Sequence, residues 1–484
     1  MKSKNGKIAG IIGSQWFFLF TLLLFIFESS WLSLTVRFPM AFDEAFHFGL
    51  IQFFSKHLYP VITSQSPNTY QYGAIVQNPS FLYHYLMSFP YRLISIFTNS
   101  TVVHVAGLRL INVGLVVISL IVMRLLLRRL NMSPALTNLL IFMFAFTPIV
   151  TALSAQISYD NLLILSVSIC LYVTTLFLQK LSLHSVDSKL LLILAGLCIY
   201  SSLIKFSFLP IFAALTAVII WRLVQYQKQY NSNLLRDFSK GFSTINKRTR
   251  VVLIGLLIIG SSLFIRIYIV NIFEYKNPVP QCNQVLSVTD CKNYYAWDSN
   301  YNLRQYKLSH PNLKQGNIFI YSAHWIVANY FQIYGEIRPM FGLYYISFLF
   351  TSIVGLLGLF AVMFWVINFK KILIFSRELI LLYAVIVLYM VSVWIRNYHD
   401  YLHLGQPIAI SGRYLIPVLL YIYMILAIGL QSQISDSRSR SRMLKNCLAL
   451  LIIALLLCFG GFVQYVLHIT PHYGHLSSAN TFSI

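Results

Sequence analysis

Residues 15–36 read QWFFLFTLLLFIFESSWLSLTV, and residues 43–49 follow as Asp43-Glu44-Ala45-Phe46-His47-Phe48-Gly49. A membrane span needs about 20 predominantly apolar residues, and the first stretch supplies them. It is too long for the apolar core of a signal peptide and lacks a small-residue cleavage site. It therefore reads as a retained signal anchor. Two adjacent carboxylates just where a chain leaves a bilayer are expensive, so they point to chemistry at the membrane surface. Solvated acidic residues flanking a span are the plainer alternative.

The rest of the chain is built the same way. Of 484 residues, 58% are hydrophobic and only 10% are charged, and the mean hydropathy is +0.70. A soluble protein of this length could not hide so much apolar surface, so the chain is expected to be an all-α polytopic membrane protein. Applying the 20-residue rule predicts about 11 spans, centred near residues 25, 113, 144, 169, 197, 214, 261, 354, 388, 422 and 457.

Basic residues fix an expected orientation. Lys2, Lys4 and Lys7, then Arg124, Arg128 and Arg129, then Lys180 and Lys189 recur at every second gap between spans. The run from Arg222 to Arg250 continues the series, as do Lys370, Lys371 and Arg377, and finally Arg438, Arg440, Arg442 and Lys445. The positive-inside rule places these in the cytoplasm together with the N-terminus, in a plasma membrane. The formal charge of +23 is then mostly topological. No basic soluble domain is present to bind nucleic acid, whereas membrane lipids are natural partners, anionic ones for the Arg222–Arg250 loop.

Two large loops are left outside, at about 37–100 and 274–338, by the same alternation of sides. Short apolar pieces of the first, such as Phe81–Pro90, are expected to lie as helices on the membrane surface, with turns at Asn68, Gly73 and Asn78-Pro79. A short turn at Ser154–Asp160 and the segment Asn397–Gly412 share that side. Of six cysteines, Cys170, Cys198, Cys447 and Cys458 fall in predicted spans as packing residues. Cys282 and Cys291 share the second loop, where a disulfide is expected if the outside is oxidising.

The external ends also collect polar residues. Asp43 and Glu44 open the first loop, Asp160 lies in Ser158-Tyr159-Asp160-Asn161, and His399, Asp400 and His403 precede the tenth span. Arg109, Lys205, Arg266 and Arg413 lie in or beside apolar runs near the same ends. Unpaired charge is costly there. Four cations at similar depth suggest an anion such as a lipid-linked phosphate. Structural pairing and snorkelling to headgroups are the alternatives.

At these residues the chain resembles the GT-C membrane glycosyltransferases. Asp43-Glu44-Ala45-Phe46-His47-Phe48-Gly49 resembles the Asp-Glu motif in the first external loop of protein O-mannosyltransferases. It is also similar to that of bacterial lipid-carrier-dependent glycosyltransferases, including the aminoarabinose transferase. Ser158-Tyr159-Asp160-Asn161-Leu162 resembles the acidic motif that opens their fourth span. Ser201-Ser202-Leu203-Ile204-Lys205-Phe206-Ser207 resembles a Lys-containing break between spans. Ser411-Gly412-Arg413-Tyr414-Leu415-Ile416-Pro417 resembles an Arg-Tyr start of a late span. The architecture matches over most of residues 15–430. The chain then divides into a catalytic membrane region, 1–430, and a segment 431–484 holding a basic cytoplasmic loop, a last span and a short external tail. A departure is that no soluble domain follows the last span, so the loops must bind any acceptor.

The resemblance implies transfer of a sugar from a polyprenyl-phosphate donor to a lipid, glycan or protein acceptor on the extracytoplasmic face, with inversion. It makes Asp43 the general base, taking the acceptor's proton as the hydroxyl attacks the anomeric carbon. Glu44 would orient Asp43 or bind a sugar hydroxyl, and Asp160 would hold the acceptor or share a cation. The departing phosphate needs charge stabilisation, which Lys205, Arg266 and Arg413 can supply. Arg109, His47 and Tyr414 complete the expected substrate-binding set, with simple packing in the loop the alternative for His47. Carboxylates from two loops suit a divalent cation such as Mg or Mn, which stays open. A transporter or lipid flippase would show inverted repeats around a midplane site. A polysaccharide polymerase or ligase would place its key residues in a late external loop, as Arg396–Arg413 does.

Overall fold

Local chemistry sets where the helices begin and break. Ser14 accepts from the Phe17 amide to cap the Gln15–Thr35 helix, and Asp187 caps Ser188–Ile204 through the Leu190 amide. Such caps satisfy amides that a helix start leaves open. Pro148 cannot continue the helix Pro134–Ala145, and the chain bends there by 66° before Pro148–Ser154. The computed structural model describes residues 5–40, 43–231, 233–311, 316–334, 348–375, 377–433 and 439–459.

Within those residues the chain is all α. Eight helices are long and apolar enough to cross a membrane, a ninth crossing arises if the bent pair counts as one, and Ser188–Ile204 and Met443–Phe459 are shorter apolar helices. Every centre read from the sequence falls on one of these segments. Their outward faces are apolar, for example Ile258, Ile259, Leu359 and Ile367, as lipid contact requires. The Tyr159–Ser182 helix is the most enclosed, with 72% of its apolar window buried. Thr101–Arg129 packs along it. The Ser439–Phe459 helix packs on Pro134–Ala145, so the segment beyond 430 joins the same bundle as far as 459. The predicted external tail, and Lys2, Lys4, Arg338 and Arg438, lie outside the described residues.

The two ends of the bundle differ in charge. Arg128 and Arg129 close the Thr101–Arg129 helix and Lys180 closes Tyr159–Ser182, while Arg109 lies in the third turn of the first helix and Asp160 in the opening turn of the second. The Arg222–Arg250 run follows at the end of Leu209–Tyr230. Asp43 lies at the opposite end from these basic residues.

Two segments cover that end. In the first, Glu44–Ser55 packs against Leu82–Phe97, held by Arg92 Nη2 on the Phe54 carbonyl at 2.9 Å. Short 3-10 turns at Pro67–Tyr72 and Ile75–Gln77 join them. In the second, Cys282 and Cys291 are bonded, with Cα atoms 5.8 Å apart. Tyr294, just beyond, stacks on Phe46 at 5.8 Å and lies against Gly73, whose φ is +71°. A side chain at Gly73 would be both strained and 2.9 Å from the Tyr294 ring. The two segments therefore close over each other beside Asp43.

Candidate active site

Glu44 and Asp43 are neighbours in sequence with opposite surroundings. Glu44 is fully buried and faces Arg109, also fully buried, through Nε–Oε1 and Nη2–Oε2 contacts of 2.8 Å each. The Met40 and Ile157 amides donate to the same carboxylate at 2.7 and 3.0 Å. Arg109 spends its other N–H groups on the carbonyls of Ser33, Val36 and Arg37 at 3.0, 2.7 and 3.1 Å. All five guanidinium N–H groups are thus taken by protein oxygens. The structure thus places Arg109, expected to bind substrate, on Glu44 and the chain, and it encloses Glu44, expected to orient Asp43 or bind a sugar hydroxyl, beside the Asp43 backbone. Together they lock the end of the first span to the turn before Tyr159–Ser182. Burial at this depth is tolerated because the pair is bidentate and its remaining valences are filled.

Asp43 is the exposed member. Its side chain is 61% accessible, and Arg413 Nη2 holds Oδ2 at 2.8 Å. The residue precedes the Glu44–Ser55 helix with φ +66° and ψ +27°, a left-handed conformation, and its side chain makes no capping bond. Asp tolerates that conformation better than most residues, at a cost of about 1 kcal/mol. The effect is to turn the carboxylate away from the helix end and towards Arg413.

Arg413 lies in a 3-10 turn, Gly412–Leu415, ahead of Ile416–Gln433. Gln332 grips that turn from both sides, accepting from the Gly412 amide at 2.7 Å and donating to the Ile410 carbonyl at 3.0 Å. Asn397 holds the Ala409 carbonyl and accepts from Trp325, both at 3.0 Å. Arg413 Nη2 also donates to the Tyr414 hydroxyl at 3.3 Å. Tyr414 in turn links the two cations, because Lys205 Nζ lies 4.8 Å from its ring centre.

Lys205 occupies the break between Ser188–Ile204 and the Phe206–Phe208 turn. It is buried and meets Asp160 Oδ1 at 2.5 Å, with the Tyr159 ring 4.3 Å away. Asp160 is equally buried, and the Ser158 hydroxyl donates to its other carboxylate oxygen at 3.5 Å. The structure thus places Asp160, expected to hold the acceptor or share a cation, against Lys205 and out of solvent. Arg266 stays apart. It sits in a π-helical turn, Ile265–Ile269, and its described hydrogen bond goes to the Ile62 carbonyl at 3.4 Å. His399 and His403 lie with ring centres 4.2 Å apart and tilted by 51° near the end of Arg377–Leu404, with His399 exposed, and no described contact joins them to Asp43.

Aromatic rings fill the space around these pairs. Phe46 packs on Tyr72 and Tyr294. Gly49 admits Tyr72, since a Cβ there would lie 2.1 Å from its hydroxyl. Burial, with the Asp43 and Tyr414 charges, pushes the Tyr294 phenol up to about 12, so it stays neutral beside Asp43. His47, one turn beyond Asp43, is buried against Tyr159 at 4.4 Å.

No group of three His, Cys, Asp or Glu side chains converges as a metal site among the described residues. Asp43 and Asp160 each already face a cation of the protein. A shared divalent ion would therefore meet neutralised ligands and two neighbouring positive charges, a poor fit.

No family model matches the sequence, and no curated protein does. A similar solved structure is the archaeal oligosaccharyltransferase AglB from Archaeoglobus fulgidus, in complex with an inhibitory peptide and a dolichol-phosphate. The identity is 13% and the TM-score 0.46, over 96% of this chain and 57% of that one. The chain thus spans little more than half of that protein's length, and a likeness at this level assigns no residue.

Proposed function

We propose that this multi-pass membrane protein is a GT-C-type glycosyltransferase that moves a sugar from a polyprenyl-phosphate donor to an acceptor hydroxyl. The reaction would run at the Asp43 end, on the extracytoplasmic side. The observation that carries the reading is the Asp43–Arg413 pair, a 61% exposed carboxylate held at 2.8 Å by an Arg that is itself only 10% exposed. Glu44 and Asp160, the other carboxylates of this end, are buried against Arg109 and Lys205, which supports Asp43 as the one that meets a substrate.

The pairing suggests an order of events. A donor phosphate competes with Asp43 for Arg413, and its arrival frees the carboxylate. Asp43 then takes the acceptor's proton as the hydroxyl oxygen bonds to the anomeric carbon. The bond from that carbon to the phosphate oxygen breaks on the opposite face, which gives inversion. Arg413, with the buried Lys205 behind it, stabilises the departing phosphate. Glu44 and Arg109 set the backbone position of Asp43, and Asp160 holds Lys205. No metal is required by this scheme.

Thermal unfolding of purified protein with polyprenyl phosphates and polyprenyl-phosphate sugars tests it, since a ligand of the native state raises the apparent midpoint. The reading expects a shift that persists in Asp43→Asn and vanishes in Arg413→Ala. No shift with any carrier lipid would turn the assignment towards a transporter.

A further inference from the structure

Beside the ion pairs lies a chain of two buried imidazoles that the scheme above leaves unused. His84 Nδ1 is 3.1 Å from the Ser80 carbonyl, and His84 Nε2 is 2.9 Å from His47 Nδ1. Both rings are 1% exposed. Burial holds both neutral: it pushes His84 down to about 3, and His47 well below its usual range with help from the nearby His84, Arg413 and Lys205.

The hydrogen positions then follow. A carbonyl only accepts, so His84 Nδ1 carries a hydrogen and donates to Ser80. Neutral His84 therefore has a bare Nε2, and His47 Nδ1 must donate to it. His47 is left with its hydrogen on Nδ1 and a bare Nε2 on the far side of the ring. That Nε2 is buried and has no hydrogen-bond partner among the described residues, a cost that a ligand's donor would recover.

The position narrows the ligand. His47 lies in the first turn of the Glu44–Ser55 helix, its amide bonded to the Asp43 carbonyl at 3.0 Å, which ties its backbone to that of Asp43. Arg413 and Lys205 are the cations acting on the ring. Their field disfavours an ammonium or a metal ion, and a bare lone pair disfavours an anion. A neutral donor remains.

We infer that His47 Nε2 accepts a hydrogen bond from a substrate hydroxyl, on the sugar or the acceptor, and that His84 is the positioning residue that fixes the tautomer. The inference rests on the proposed transferase reading and adds a contact that selects the substrate.

Histidine-selective 15N NMR of the full chain tests it, with His47 assigned by His47→Phe. Without ligand, both rings should show neutral Nδ1–H tautomers with bare Nε2. An Nε2–H form of His47, or an imidazolium, overturns the inference. Polyprenyl-phosphate mannose and polyprenyl-phosphate glucose are then compared with sugar-free polyprenyl phosphate and with free methyl glycosides as hydroxyl acceptors. A shift of His47 Nε2 with a glycosyl lipid alone assigns the sugar's hydroxyl, and a shift that needs the glycoside assigns the acceptor's. A glycosyl lipid that binds without moving Nε2, with the glycosides also leaving it unmoved, overturns the inference but leaves the transferase reading standing. Binding by no glycosyl lipid overturns both.

His84 is tested by rescue. His84→Gln offers an amide N–H to Ser80 and a carbonyl to His47, so it preserves the tautomer. His84→Phe frees His47 to exchange tautomers and should weaken glycosyl-lipid binding about 10-fold, the scale of one hydrogen bond. Equal affinities in the two variants, at equal unfolding midpoints, contradict the positioning role.

Discussion

Asp43 and Glu44 differ by one methylene and one position, yet the fold gives them opposite work. Glu44 is sealed with Arg109, with every valence of the pair filled inside the protein. Asp43 stands in a strained turn, largely exposed, against a single guanidinium. A charge buried without relief serves architecture, because any loosening exposes an uncompensated ion. A charge half in water and held by one partner can exchange that partner for a ligand.

The comparison can be broken first at the buried pair. Arg109→Met should cost about 3–5 kcal/mol, since it leaves the Glu44 carboxylate buried and alone. The readout is the unfolding midpoint in detergent, and an unchanged midpoint would mean that the pair does not lock the fold. Asp43→Asn is the mirror experiment. Asn keeps the left-handed turn, so the midpoint should hold while transfer falls by about 100-fold or more, as for a lost general base. Arg413→Ala should weaken the donor by about 1.5–3 kcal/mol, the value of a hydrogen bond to a charged group. Direct titration with the carrier lipid checks it, and unchanged affinity would assign Arg413 to structure.

Two smaller effects sharpen the picture around the pairs. Burial depresses His84 from 6.5 to about 3, so between those values the unfolded chain binds the proton that the folded ring refuses. The contribution of His84 should be complete above pH 6.5 and fall as pH drops towards 3, by at most about 1.4 kcal/mol per pH unit, with His47 acting in the same direction. His47→Phe with His84→Phe should flatten that slope, as read from midpoints across the pH series. Gly73→Ala should cost about 1 kcal/mol of stability, read as a lower midpoint, through its positive φ and the Tyr294 contact. No change would mean that the two covering segments do not depend on that packing.

Much of this was legible in the sequence because a span is written in composition alone. Each apolar run became a helix, and the Asp-Glu, Asp160, Lys205 and Arg413 motifs gathered at one end. Roles were another matter. Arg109 and Glu44 are 65 positions apart, and Arg413 and Asp43 are 370 apart. Nothing local says which cation meets which carboxylate, so Arg109 read as a ligand group although its donors are all spent. His84 sits in an apolar surface helix with no pattern around it, and only its bond to His47 gives it meaning. Gln332, which grips the Arg413 turn, carries no sequence signal at all. Arg266 shared the depth and charge of the others but ended on a loop carbonyl.

The most direct test of the account is single-turnover sugar transfer by Asp43→Asn, saturated with a polyprenyl-phosphate sugar that the parent protein turns over. The account predicts a bound donor and a transfer rate at least about 100-fold below the parent's. Transfer at the parent rate would remove Asp43 from the chemistry and make its pairing with Arg413 a surface salt bridge.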